Sequence, residues 1–95
     1  MRSMPLMRGR ILGYDASRMA FEFTMMHKAR IVDCEISSTA LDDLADEKGI
    51  LPDEREAQFR RLRDAIEGVA SGMFDQGGMA AGETLRIFAK HVRKR

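Results

Sequence analysis

A single cysteine, Cys34, stands in 95 residues, which excludes an internal disulfide and any all-cysteine metal site. Tryptophan is absent, tyrosine occurs once and phenylalanine five times, so broad aromatic platforms for stacking bases are not available. No apolar run approaches the ~20 residues of a membrane span. Arg2 and Arg8 near the start are not followed by the ~7–15-residue apolar core of a secretory signal. Together these absences point to a reducing, cytoplasmic setting. Proline occurs only twice, and no Asn-Gly or Asp-Gly marks a tight hairpin.

What is present is one domain's worth of chain, 44% hydrophobic and 33% charged, with eight methionines. Methionine fills irregular gaps in a core, and that role accounts for most of them. The net charge of +1 hides an uneven distribution. Between Asp33 and Glu54 eight acids face Lys48 alone, whereas Arg86, Lys90, Arg93, Lys94 and Arg95 close the chain without an acid. Two solvated surfaces explain this polarity; charge-complementary association with a second copy or a partner is the sharper reading.

The hydrophobic period changes within Val32–Leu44. Val32, Cys34 and Ile36 alternate with Asp33 and Glu35, which predicts a strand with one apolar and one acidic face. From Ser37 onward Ala40, Leu41 and Leu44 take helical spacing, with Ser37 or Ser38 as cap and Thr39-x-x-Asp42 as a box-like start. This helix is predicted to stop near Lys48, with Gly49 as its left-handed cap. Upstream, Met19, Phe21, Phe23 and Met25 share a face, so Arg18–Met26 and Arg30–Ile36 form an antiparallel hairpin across His27–Ala29. Ile11–Asp15 either adds a short edge strand or packs on the core. Residues 1–9 read as a flexible leader, 10–92 as the α+β domain and 93–95 as a basic tail.

Asp53 is placed as the cap of a long helix whose stripe is Phe59, Leu62, Ile66, Val69 and Met73. Glu56–Arg60, Arg60–Asp64 and Arg63–Glu67 fall at i,i+4 on its outer face. Gly77-Gly78 ends it. Leu85, Phe88, Ala89 and Val92 have helical spacing, yet Thr84–Phe88 also alternates like a strand, so the closing element is a strand or a helix.

Val32-x-Cys34-x-Ile36-Ser37-x-x-Ala40-Leu41, then Phe59-x-x-x-Arg63-x-x-Ile66-Glu67-x-x-Ala70-Ser71, then Gly77, resemble the small bacterial domain-of-unknown-function family 1488. The resemblance spans Tyr14 to Val92. It implies an α+β fold with a hairpin, a short helix, a long helix and a closing strand, and it favours the strand over Thr84–Phe88. Met73-Phe74 stands where the family has a basic-aromatic pair. The resemblance carries no catalytic residue.

No constellation for chemistry emerges. Cys34 lies on the apolar face of a strand, where a thiol is inert; nothing in the sequence brings His27 or His91 to it. Asp33 and Glu35 point away from Cys34, so the three do not form one metal site. Asp42, Asp43, Asp46 and Glu47 read as a solvated helix face. Gly77-Gly78-x-x-x-Gly82 lacks the Lys-Ser/Thr of a phosphate loop. No cofactor is implied. The reading that follows is a small cytoplasmic, non-catalytic binding or accessory module, with a homodimer as one form. The alternative is a nucleic-acid-associated protein using Arg86, Lys90, Arg93, Lys94 and Arg95, joined by Arg2, Arg8 and Arg10 if both ends of the chain meet at one edge.

Overall fold

The computed structural model describes residues 6–77 and 82–93. Strands β1 (Met7–Asp15), β2 (Ala20–His27) and β3 (Arg30–Ser37) form an antiparallel meander. Helix α1 (Ser38–Ala45) follows, then a 3₁₀ turn over Pro52–Glu54, α2 (Arg55–Arg61) and α3 (Arg63–Gly77). Strand β4 (Thr84–Ile87) closes the sheet in the order β1-β2-β3-β4, and α4 (Ala89–Val92) ends the described chain. The fold is thus the expected α+β. The last segment takes both of the forms that its pattern allowed, a strand and then one helical turn. β4 runs parallel to β3, with Cys34 beside Leu85 and Ile36 beside Ile87.

The helices pack on one face of the sheet. Phe21, Phe23 and Met25 of β2, Val32, Cys34 and Ile36 of β3, and Leu85 and Ile87 of β4 meet Leu41, Phe59, Ile66 and Ala70 there, all of them buried. Phe59 stacks on Phe21 at 4.6 Å between ring centroids and tilts against Phe23 at 5.0 Å, which joins α2 to the sheet centre.

β1 is longer than the short edge element expected. It begins at Met7, inside the stretch read as a leader, and Leu6 before it is buried. Arg8 explains the anchoring: its guanidinium bonds Glu67 at 2.9 Å and Asp64 at 2.8 Å on α3. Asp64 therefore takes Arg8 as its ion-pair partner, and the expected Arg60–Asp64 pair is not formed; Glu56–Arg60 and Arg63–Glu67 are. Two register shifts interrupt the β1–β2 ladder. At the first, a Cβ on Gly9 would overlap the Thr24 carbonyl oxygen and hydroxyl, so only glycine fits.

Three local expectations are corrected. Ser37 caps α1, accepting from the Ala40 N–H at 3.1 Å, but the left-handed residue at the other end is Asp46 and not Gly49. Aspartate tolerates that conformation. The long helix is interrupted at Leu62, where the backbone tightens to a bond from the Leu62 N–H to the Phe59 carbonyl at 3.1 Å. Asp53 lies in the 3₁₀ turn and Glu54 does the closing, its carboxylate accepting from the Leu51 N–H at 3.0 Å. No helix among the described residues is long and apolar enough to cross a membrane.

Candidate functional site

With the described helices all on one side, the described residues leave the other face of the sheet uncovered. Residues directly opposite each other in a ladder point the same way. The register sets Met7 beside Met26 and Met26 beside Ile31, which makes an apolar row across three strands on that face. Met7 is 61% exposed and Ile31 63%. Leu12, at the second register shift, is also exposed. A shallow depression of about 310 Å³ lies further along, lined by Leu12, Glu22, Asp33, Cys34, Glu35 and Thr84.

Charge follows the apolar row. Glu35 is not the solvated strand acid that alternation predicted; it is 8% exposed. Arg18, from the β1–β2 turn, donates to both of its carboxylate oxygens at 3.0 and 2.9 Å, and Arg86 of β4 adds a bond at 3.2 Å. The hydrogen bond and charge of Glu35 push the Arg18 pKa further up. The charges of Asp15 and Glu22 also act on Arg18, so acids of the same copy offset the two guanidinium groups. Among the described residues Glu22 and Asp33, on the same face, take part in no ion pair.

A second polar cluster ties α1 to α2. Arg55, 6% exposed, donates to Asp42 and to Gln58, each at 2.7 Å, and Gln58 donates to Asp42 at 3.0 Å and Glu47 at 3.2 Å. Arg61 bonds Glu47 at 2.8 Å. The Arg55 guanidinium also lies 5.5 Å from the Tyr14 ring centroid, and the Tyr14 hydroxyl meets the Ser38 hydroxyl at 2.8 Å. Asp42 and Glu47 are thus structural partners, a correction to the solvated acidic face expected from sequence. Alternation and helical spacing carry no sign of this cluster, because its members come from separate elements.

The basic residues singled out above are not gathered. Arg86 is on β4 with Glu35; Lys90 is exposed on α4; Arg93 lies 3.6 Å from Asp43. Lys94, Arg95 and Arg2 lie outside the described residues. Arg8 and Arg10 belong to β1, at the opposite edge of the sheet from β4, so among the described residues the two groups of charge do not meet at one edge.

Cys34 Sγ is buried and lies 3.6 Å from the Val32 carbonyl oxygen, to which it donates. Burial, helped by the Asp33 charge, pushes the thiol up to about 12. His27 packs on the Phe74 ring, and His91 accepts from the Phe88 N–H through Nδ1, so neither is arranged as its base. An aromatic disulfide reagent at pH 8 is expected to leave the native thiol untouched and to titrate it only after denaturant is added; rapid native reaction would contradict this geometry. Among the described residues no three metal-ligating side chains converge.

The sequence pattern of the family described as a protein of unknown function (DUF1488) matches residues 9–87. The chain belongs to the DUF1488 family. Its fold is similar to the crystal structure of a DUF1488 protein of unknown function from Shewanella loihica PV-4, at 22% identity and a TM-score of 0.77, over 92% of this chain and 96% of that one. No curated protein matches the chain. The likeness to that DUF1488 protein is one of fold.

Proposed function

We propose that this DUF1488 protein is a non-catalytic binding module of the cytoplasm that self-associates, and that it docks through the uncovered sheet face. The observation that carries the reading is the row Met7–Met26–Ile31, where Met7 and Ile31 are exposed and Met26 between them is half-buried on the side away from the core. Scattered apolar residues are ordinary on a surface, but a contiguous row marks a contact. A cytoplasmic setting is supported by the single, unpaired Cys34.

Nucleic-acid binding draws less support. Arg86 and Arg93 are already paired with Glu35 and Asp43, and the uncovered face carries three acids and no aromatic ring. Sheet faces that take single strands stack bases on aromatic side chains.

Sedimentation velocity of the untagged chain, from about 1 µM to about 300 µM, tests self-association in the range expected of a small interface. The weight-average mass is expected to rise from one chain toward two. A mass that stays at one chain throughout would refute it.

A further inference from the structure

We propose that α4 is a proton-released latch: neutral His91 holds this turn against α1, and protonation of the ring lets it go.

The latch is built on one acceptor. Phe88 leaves β4 in an extended conformation and caps α4, with no side-chain oxygen to close the turn. His91, three residues on, supplies the missing partner. Its Nδ1 accepts from the Phe88 N–H at 2.8 Å, while its own backbone N–H donates to the Phe88 carbonyl at 2.9 Å. This is the place where a capping box usually has Glu or Gln. Imidazole behaves differently there, because a ring nitrogen accepts only while it carries no proton. In the imidazolium both nitrogens are donors, so two N–H groups would face each other at Phe88. Histidine is also the side chain whose charge ordinarily changes between about pH 5 and 8.

The surrounding charges do not favour the imidazolium. α4 packs on α1, where Asp42 is taken by Arg55 and Asp43 lies 3.6 Å from Arg93. Just past α1, Glu47 is bonded by Arg61 and Gln58, with Asp46 and Lys48 on either side of it. On β4, Arg86 bonds Glu35. Partial burial, and after it the charge of Lys90, hold the His91 pKa below the ordinary histidine value. The cap's contribution is therefore full above the unfolded value of about 6.5 and is lost as pH falls through the lower folded one.

Little else keeps the turn in place. A helix of four residues has no stability of its own. Val92 on α4 and Leu44 on α1 are half-buried against the core, and they share the wall of a depression of about 520 Å³ with Asp43 and Asp46. Release of α4 would widen that depression, expose Leu44 and part Arg93 from Asp43.

NMR of the full chain from about pH 8 to about pH 4.5 tests this. The Phe88 amide proton is expected to shift upfield with the midpoint of the His91 ring, and the cross-peaks between α4 and α1 to fall below half their intensity. His91→Gln keeps an acceptor that does not titrate, and both signals are expected to stay constant in it. His91→Leu removes the acceptor and is expected to resemble, at pH 8, the wild type at acid pH. A Phe88 amide that does not follow the ring, cross-peaks that outlast its protonation, or a pH dependence that survives in His91→Gln would overturn the latch. So would loss of the β2 and β3 amide signals over the same range, which would mean that the whole domain unfolds.

Discussion

Phe59→Ala is expected to cost about 3–5 kcal/mol, as for truncation of other buried aromatics. Domains of this size have about 5–15 kcal/mol in total, so the variant should unfold at far lower denaturant than the wild type. The reason for a value at the top of the range is position. Phe59 is fully buried and its ring contacts both Phe21 and Phe23 on the central strand β2, so alanine leaves a void against two further aromatic rings. Its backbone carbonyl also takes the tightened bond from Leu62, which limits how far α2 can shift to fill the space. Urea titration followed by circular dichroism measures the loss. A cost under about 1 kcal/mol would mean that the ring is not central to the core.

Arg55→Ala is the second large effect, about 3 kcal/mol, because removing one partner of a buried ion pair strands the other. Asp42 would lose its 2.7 Å bond, and Oε1 of Gln58, a residue 1% exposed, would lose the donor that Arg55 supplies. This cost should depend on pH. Burial disfavours the Asp42 anion, but the bonds from Arg55 and Gln58 and the Arg55 charge outweigh it and hold the carboxyl below its ordinary value. A carboxyl lowered in the fold stabilises fully above its unfolded pKa of about 3.9 and loses that contribution as pH falls through the lower folded value. The gap between wild type and Arg55→Ala should therefore be full at pH 7 and narrow below about pH 4. Equal destabilisation at pH 7 and pH 3 would show that Arg55 acts through packing alone.

Alternation was enough to place β2 and β3, and Ser37 was enough to start α1, because each depends on neighbours in sequence. The break at Leu62 has no such origin: no glycine or proline marks it. Glu35 shows the same boundary. A strand acid between apolar neighbours reads as solvated, and only the fold brings Arg18 and Arg86 over it. Arg8 was taken with the leader because its partners, Asp64 and Glu67, lie on a distant helix. The uncovered face did leave a trace. Met25-Met26 and Ile31-Val32 each put two apolar residues side by side, and in a strand adjacent residues point to opposite faces. Those doublets already said that both sides of the sheet are apolar at that end. The closing segment stayed ambiguous because four residues of strand and four of helix are each too short for a period to register.

The parallel closure by β4 has a consequence for how the protein is made. β1, β2 and β3 join through short turns and emerge from the ribosome as a self-contained meander. β4 is separated from β3 by all of α1, α2 and α3. Until synthesis reaches Thr84–Ile87, the nascent chain holds β3 with one bare edge and Val32, Cys34 and Ile36 half covered. An unpaired edge of that kind recruits other strands. Slow translation or truncation before β4 is thus the step at which this fold is most exposed to aggregation, and the window closes only once β4 has paired with β3.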